Sequence, residues 1–240
     1  MPSIARKTDK ALPLYRDDQH SDSFVLSGAE TLVPFLDEGD DGTWRHVHVE
    51  DPEGGRRFRY RPRVEGDFAR IERVVRAGAP TYWVVTTKDA VTHVYGRSAT
   101  ARIADPEFPH RIFRWLLEET RDPRGHVVRY EYKAEDLTGV RSYGPDGQFL
   151  ESLHRRSGPI AIAGAHLKRI LYAHKRGVAD PAAPDDFHLE VVFDYGEHDA
   201  LAPTPIDAGD WGVRADPFST SPPGFEARSY RLCRRVLVFH

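Results

Sequence analysis

The chain has 240 residues, of which 40% are hydrophobic and 30% are charged, so its length allows one large domain or two small ones. Thirty-four Lys and Arg residues against 37 Asp and Glu residues give a net charge of -3, which excludes the strongly basic surface of a typical nucleic-acid-binding domain. The single cysteine, Cys233, excludes an internal disulfide, and no apolar run approaches the roughly 20 residues of a membrane helix. We therefore expect no nucleic-acid partner and no membrane insertion by this chain.

Apolar residues recur with a period of two along most of the chain, which predicts short strands rather than helices. The 19 glycines and 18 prolines interrupt the chain often and favour the same conclusion. Residues 111–120 have a composition compatible with a short helix, but we interpret them as a strand that runs into a turn. The predicted strands, in chain order, are 44–50, 57–61, 81–87, 91–95, 111–120, 127–132, 187–195 and 228–239.

Turn signals separate the predicted strands. Asp-Gly pairs at 41–42 and 146–147 are the strongest short hairpin signals. The sequences D-P-E-G at 51–54 and D-P-R-G at 122–125 place proline at the second turn position and glycine at the last. A further tight turn is predicted at 88–90, and loops are predicted at 135–159, 177–186 and 201–224.

A loose internal repeat accompanies the turns. Three units each combine an aspartate near a turn with a following strand that ends in tyrosine, at 51–60, 89–95 and 122–132. Their spacing lies in the range of about 20–50 residues that is typical of stacked supersecondary units. The unit here is a β-hairpin, and the pattern predicts a sheet that does not close a core by itself.

Twelve histidines raise the question of a metal site. His46 and His48 share one face of the strand predicted at 44–50, and Glu50 on the same face is the nearest third ligand. His-x-His without a third ligand at a set spacing is a weak signal, and the competing interpretation is the polar face of an amphipathic strand. We assign no metal ligand and no cofactor.

Acid and base chemistry has equally weak signals. Adjacent residues of a strand point to opposite faces, so Glu118 and Glu119 are not expected to converge on one substrate. The sequence contains neither a G-x-S-x-G nucleophile motif nor a G-x-x-x-x-G-K-[ST] phosphate loop. Cys233 lies in an apolar strand pattern and is expected to be a buried structural thiol, so no catalytic residue is assigned. Adjacent carboxylates of this kind occur at Glu118-Glu119, Asp185-Asp186 and Asp40-Asp41.

Nine blocks along the chain resemble one known family in sequence and in order. Two of them are Y-R-P-R-V-E-G-D-F-A-R-I at 60–71 and W-L-L-E-E-T-R-D at 115–122, and the others lie at 4–15, 21–34, 101–106, 130–136, 192–198, 216–219 and 225–236. By these blocks the chain resembles the SpvB/TcB family, which comprises the virulence-plasmid B protein and the B components of insecticidal toxin complexes. We interpret residues 1–240 as part of one SpvB-type β-rich domain that is incomplete at both ends.

The resemblance implies a structural, non-enzymatic role. It implies an all-β fold with little helix, in which antiparallel hairpins similar to YD-type repeats form a curved sheet of a larger cage-like shell. Such a shell encloses a toxic polypeptide together with an Rhs/YD-repeat C component, and the complex includes a pore-forming A component. The ADP-ribosylating part of some relatives is a separate C-terminal domain that nothing in this sequence matches.

The resemblance also implies secretion as part of a toxin complex, with the chain in the cytoplasm before release. Residues 1–10 have charges but no apolar segment behind them, so no signal peptide is predicted. Two alternatives stay open: a carbohydrate- or cell-surface-binding β-repeat module, and a secreted β-rich hydrolase. An exposed row of aromatic side chains would favour the first alternative, and a convergent carboxylate pair in a concave pocket would favour the second.

Overall fold

A computed structural model describes residues 2–9, 11–19, 21–64, 66, 68–140, 163–175 and 183–240. Apart from short 3-10 turns at Asp17–Gln19 and Pro184–Asp186, its regular structure is entirely β. No helix in this described part has the length and apolar character needed to cross a membrane. The strands are β1 (Ser3–Arg6), β2 (Phe24–Leu26), β3 (Glu30–Pro34), β4 (Leu36–Glu38), β5 (Trp44–His46), β6 (His48–Glu50), β7 (Arg56–Pro62), β8 (Arg70–Val75), β9 (Tyr82–Thr86), β10 (Thr92–Tyr95), β11 (Arg102–Ala104), β12 (Ile112–Arg121), β13 (Val127–Ala134), β14 (Ala165–His174), β15 (Phe187–Asp194), β16 (Phe218–Thr220), β17 (Ala227–Ser229) and β18 (Arg235–Phe239).

The first half of the chain forms a closed ring of antiparallel strands. The order is β1-β2-β3-β7-β8-β9-β10-β12, and β12 pairs back with β1 through Ile4 opposite Trp115. Ring closure removes the free edges that an open sheet would expose. The all-β prediction is confirmed, but the expectation that these residues do not close a core is wrong.

Strand β12 makes the closure possible because it is ten residues long and serves two sheets. Its N-terminal half pairs with β1, and its C-terminal half pairs with both β10 and β13. The register with β10 shifts at Glu118, an extra residue of the kind that bends a strand. The bend lets β12 close the ring and also begin a second sheet.

The second sheet, which we call the extension sheet, continues from β12 as β13-β14-β15-β18. Strand β18 pairs with β15 from Glu190 opposite Phe239 to Asp194 opposite Arg235, and β15 is its pairing partner in this sheet. The small hairpins β4-β5 and β16-β17 lie outside both sheets.

Large aromatic side chains fill the closed ring. Trp83 and Trp115 are fully buried, and their ring centres lie 6.0 Å apart, with Phe24 5.8 Å from Trp115 and 4.9 Å from Trp83. Gly96 has a φ of 67°, and a Cβ there would lie 2.8 Å from that of Trp115, so only glycine allows the close approach. Five aromatic residues of the predicted strands, Tyr60, Tyr82, Trp83, Tyr95 and Trp115, thus lie in the core of the ring.

Most predicted strands and turns are confirmed. The prediction at 111–120 corresponds to β12, and those at 57–61, 81–87, 91–95, 127–132 and 187–195 correspond to β7, β9, β10, β13 and β15. The turns at 41–42, 51–54, 88–90 and 122–125 each join two antiparallel strands. The turn at 146–147 and most of the loop at 135–159 lie outside the described residues.

Two strand predictions fail in their extent. The segment 44–50 is divided between β5 and β6, which belong to different sheets, and Val49 is exposed rather than half-buried. The segment 228–239 contains the end of β17 and all of β18, with irregular chain between them. In both segments the alternation of apolar and polar residues continues past the end of one strand. The chain then pairs with a different strand, which the alternation does not reveal.

Candidate functional site

The histidines that suggested a metal site are not brought together. His46 Nε2 lies 2.6 Å from the backbone oxygen of Arg59, and its ring packs against Phe58 and Tyr60. His48 is exposed, and Glu50 lies on the surface. Among the described residues, these three do not form a cluster whose ligand atoms approach one another.

The adjacent carboxylates also have separate local partners. Glu118 accepts a hydrogen bond from the Ser98 backbone N–H at 2.9 Å, whereas Glu119 lies 3.2 Å from Arg121 Nε. Asp41 and Asp186 each accept a backbone hydrogen bond within their own turn. These carboxylates form local ion pairs and hydrogen bonds within turns, and the neighbours Glu118 and Glu119 do not face one substrate together.

The prediction of a buried thiol at Cys233 is wrong. Cys233 is exposed in the irregular chain before β18, and its Sγ lies 3.3 Å from the backbone oxygen of Arg235. Desolvation is the largest contribution to the thiol pKa and raises it. Thiolate chemistry requires a lowered pKa, so the environment does not activate this cysteine.

A cluster of buried charges lies where the irregular C-terminal segment 195–234 folds onto the extension sheet. It begins with Lys168 in β14. The register between β13 and β14 places Arg169 opposite Glu131 and Leu167 opposite Tyr132, so Lys168 is an extra, bulged residue. A bulge re-aims a side chain, and Lys168 is buried despite its charge.

The Lys168 ammonium group has three acceptors from the C-terminal segment. Its Nζ lies 2.5 Å from Glu197 Oε1, 2.8 Å from His198 Nε2 and 3.0 Å from Asp207 Oδ1. His198 Nδ1 lies 2.9 Å from the backbone oxygen of Thr204, so Nδ1 carries the proton and Nε2 accepts from Lys168. One lysine thereby holds residues 197–207 against the sheet.

Glu197, His198 and Asp207 are also the residue types and spacing of a metal site, because their ligand atoms lie within 4.8 Å of one another. The Lys168 ammonium already lies within hydrogen-bond distance of all three. Burial acts to raise the pKa of Asp207, but hydrogen bonds and charges from Lys168 and Lys133 outweigh it and lower that pKa. The cluster is a cation cage whose cation is a lysine, and we assign no metal to it.

A second buried ion pair joins Arg231 to Glu135 at the end of β13. Arg231 Nη2 lies 2.5 Å from Glu135 Oε1, and both side chains are fully buried. Burial acts to raise the pKa of Glu135, but the His166 ring nitrogen 3.5 Å away and the hydrogen bonds from Arg231 outweigh it and lower the pKa to about 2. The Glu135 carboxylate is therefore charged at neutral pH.

Trp211 lies between these two charge centres. The guanidinium carbon of Arg231 lies 4.2 Å from the Trp211 ring centre, and Lys133 Nζ lies 4.5 Å from the same ring centre. Both distances are those of cation–π contacts. The indole N–H of Trp211 donates to Asp136 Oδ1 at 2.8 Å. The residues form one network that fixes an otherwise irregular segment.

Sequence reasoning missed this network because its members lie in a segment without periodicity. The loop predicted at 201–224 is irregular apart from β16 at Phe218–Thr220, so the secondary-structure prediction is close to the structure. What the pattern did not contain is the burial of Lys168 and Arg231. The available signal was the interruption of an apolar strand pattern by Lys168, which a bulge explains.

The edge strand of the extension sheet carries exposed apolar side chains. In β18, Val236 and Val238 have 56% and 63% of their surface exposed, while Leu237 and Phe239 between and beside them are half-buried. The strand is paired on one side with β15. An exposed apolar edge strand is a template for pairing with a further strand.

Comparisons with known proteins agree with this architecture. The family model described as Salmonella virulence plasmid 65kDa B protein matches residues 1–240. The mono(ADP-ribosyl)transferases SpvB of Salmonella typhimurium strain 14028s and of Salmonella dublin are each 35% identical over 246 residues. The alignments cover 99% of this chain and 40% of each relative, so the chain spans less than half the length of these relatives.

Solved structures give the same result. The N-terminal domain of effector protein SpvB from Salmonella typhimurium strain LT2 superposes with a TM-score of 0.82 at 31% identity, covering 100% of this chain and 75% of that domain structure. The TcdB2-TccC3-Cdc42 structure matches with a TM-score of 0.79 at 29% identity, and the Photorhabdus luminescens Tc holotoxin pore with 0.77 at 28%. In both, the match covers 100% of this chain and 11% of the other chain.

Proposed function

The chain belongs to the SpvB family, and from that membership we propose that it is a non-enzymatic wall component of a bacterial toxin complex. In this role the chain helps to enclose a toxic polypeptide together with an Rhs/YD-repeat partner. The observation that carries the proposal is the match of the entire chain to one part of TcdB2 in complex with TccC3. The transferase name belongs to relatives of which this chain spans 40%, and the N-terminal domain of SpvB covers the whole chain.

The two-part architecture supports a wall function. The closed ring has a dense aromatic core and supplies a rigid body, whereas the extension sheet presents β18 as an edge with exposed Val236 and Val238. A wall built from β-strands grows by adding strands to such an edge, because main-chain hydrogen bonds provide the attachment. The buried charge network keeps the C-terminal segment 195–234 packed on the sheet, and Arg235 of β18 donates to backbone oxygens of that segment.

The partners and location follow from the same proposal. We infer a C component with Rhs/YD repeats as the partner that completes the enclosure, and a pore-forming A component as the assembly through which the cargo leaves. The solved relatives include both a TcdB2-TccC3 complex and a Tc holotoxin pore, which supports this context. The complex would act outside the producing cell, and the chain would be cytoplasmic before release.

A chimera tests the proposal directly. This chain replaces the matching part of TcdB2, and the chimera is co-expressed with TccC3. We expect the two to elute as one complex and the hypervariable C-terminal region of TccC3 to be protected from added protease. The structural match at a TM-score of 0.79 makes the exchange geometrically reasonable.

Two controls give the chimera experiment its meaning. Unaltered TcdB2 sets the full level of protection, and TcdB2 without the matching part sets the level of an incomplete wall. A chimera that melts cooperatively but elutes apart from TccC3, or leaves the C-terminal region as sensitive as the incomplete wall does, would refute the wall function.

A further inference from the structure

A pocket of about 380 Å³ lies on the outside of the closed ring, where the chain leaves β3 and later returns as β6. Its walls include Phe35, Phe68 and the arginines Arg59, Arg61 and Arg70. Side chains alternate along β7, and Tyr60 packs in the core of the ring. Arg59 and Arg61, on either side of it, therefore point outward.

The backbone fixes the aromatic wall of this pocket. The Phe35 N–H donates to the Arg59 oxygen at 3.0 Å, and the Arg59 N–H donates to the Val47 oxygen at 2.9 Å. The Phe35 oxygen in turn accepts from the Val47 N–H at 2.9 Å. The backbone at Phe35, between β3 and β4, is thus hydrogen-bonded both to β7 and to Val47, between β5 and β6. These bonds hold the Phe35 side chain beside β7.

Two guanidinium groups lie over one aromatic ring. The guanidinium carbons of Arg59 and Arg61 are 5.8 Å and 5.5 Å from the centre of the Phe35 ring. Cation–π contact of this kind orients a guanidinium but leaves its N–H donors available. Two positive charges gathered at one ring repel each other, and an anion between them would relieve that repulsion.

Neither Arg59 nor Arg61 forms an ion pair or a side-chain hydrogen bond with a described residue. Arg57, on the same face of the same strand, lies 2.7 Å from Asp51. Arg70 is the third cation of the pocket, and its Nε is 3.6 Å from Glu72. Carboxylates outnumber lysine and arginine in the chain, so composition does not require unpaired arginines at this point.

We propose that this pocket binds a sugar-sized organic anion: a ring compound that carries a phosphate, sulfate or carboxylate group. The forked donors of Arg59 and Arg61 suit a planar or tetrahedral oxyanion, and the Phe35 and Phe68 side chains give an apolar wall for the ring. The volume lies within the range of small-molecule sites. The pocket lies beside β7 of the closed ring, whereas β18 is the last strand of the extension sheet.

Titration with glucose 6-phosphate tests the proposal, with inorganic phosphate and glucose as the two partial ligands. The 240-residue chain is used in isothermal titration calorimetry at low salt. Glucose 6-phosphate is expected to bind at least about tenfold more tightly than phosphate, and glucose is expected not to bind, because the charge and the apolar wall act together. Phosphate that binds as tightly as glucose 6-phosphate, or no binding of either, overturns the proposal.

Variants locate the binding. Arg61→Ala is expected to weaken glucose 6-phosphate binding by about tenfold or more, since it removes a charge-assisted hydrogen-bonding group. Arg61→Lys keeps the charge but loses the forked pair of donors, so its affinity for glucose 6-phosphate is expected to lie between those of the parent chain and Arg61→Ala. Arg61 is exposed, so both variants should melt as the parent chain does.

The matched control is Arg124→Ala, which removes the same charge from the exposed turn between β12 and β13. It is expected to leave the affinity unchanged. Equal loss of affinity in Arg61→Ala and Arg124→Ala would mean that net charge alone attracts the anion, and it would refute a site at Phe35. Phe35→Leu should weaken the binding of glucose 6-phosphate and leave the binding of phosphate unchanged. The opposite result would show that the Phe35 ring does not contact the sugar.

Discussion

The closed ring and the extension sheet cover their interiors in different ways. The ring encloses Trp83, Trp115 and Phe24 together with aliphatic side chains and the buried, ion-paired Arg6 and Arg73, and its strands have neighbours on both sides. The extension sheet has one face covered by irregular chain, and that cover is attached through Lys168 and Arg231. A closed surface excludes water by its shape, whereas an open sheet needs specific attachments to keep its cover in place.

The difference has an energetic meaning. Apolar burial in the ring is non-directional and tolerates small shifts of neighbouring side chains. A buried ion pair is directional, and removal of one partner leaves the other charge uncompensated in a low-dielectric environment. The following experiments compare how the two regions respond to mutation and how the extension sheet responds to pH.

The largest effect is expected in the ring. Trp115→Ala should lower the free energy of unfolding by about 3–5 kcal/mol, because it leaves a large cavity beside Phe24 and Trp83. It also removes the indole hydrogen bond to the Thr81 oxygen at 2.7 Å. Urea denaturation followed by circular dichroism measures the change. Trp44→Ala, at a site that is 63% exposed, is the matched control and should change stability by less than about 0.5 kcal/mol.

The next effect should be confined to the extension sheet. Lys168→Met leaves Glu197 buried without its cation and should destabilise the attached segment by about 3 kcal/mol. Hydrogen exchange should rise in residues 195–210 and stay unchanged in β8 and β9. Lys175→Met, at the exposed end of β14, is the control. Equal acceleration in the ring strands would show that the two regions unfold as one unit.

Acid should weaken the same region through Glu135. Its pKa is about 2 in the folded chain, below its ordinary value of 4.5, so the Glu135 carboxylate stabilises the fold above pH 4.5. This stabilisation is lost as the pH falls from 4.5 toward 2, and its full size is about 3 kcal/mol. Glu135→Gln should flatten the stability profile in that window. A variant whose stability falls as steeply as that of the parent chain between pH 4.5 and 3 would contradict this assignment.

The smallest effect on folding, with the clearest effect on association, is expected at β18. Val238 is 63% exposed on the edge strand, so Val238→Lys should change the free energy of unfolding by less than about 0.5 kcal/mol. A charge on an edge strand opposes edge-to-edge pairing. Analytical ultracentrifugation should show less self-association than in the parent chain. The same association in both proteins would mean that β18 is not the surface that pairs.

Much of the fold was predictable because strands and tight turns are encoded locally. The alternation of Phe58 and Tyr60 with arginines identifies β7 and its inward face. The D-P-R-G turn at 122–125 identifies the β12–β13 hairpin, in which Asp122 Oδ1 accepts the His126 N–H at 2.8 Å. Each of these signals depends on neighbours within a few residues, so one sequence is enough to contain it.

The charge network and the outer pocket were not predictable in the same way. Glu135 and Arg231 are 96 residues apart in the chain, and nothing in either neighbourhood indicates the other. The histidine pattern at 46–48 suggested a metal site. However, His46 ends β5 and His48 begins β6, and the His46 ring lies against the backbone oxygen of Arg59. Residue type alone did not distinguish a charge that is solvated from one that is buried and paired.

The sequence by itself determined the all-β class, most strands and turns, and the resemblance to the SpvB family, because periodicity, turn chemistry and block order are properties of the linear chain. The tertiary structure alone decided that β1 returns to β12 and closes the ring. It also decided that Lys168, as a bulged residue, turns to meet Glu197 and Asp207. Ring closure and buried ion pairs depend on distances between residues remote in sequence, and those distances exist only once the whole chain has folded.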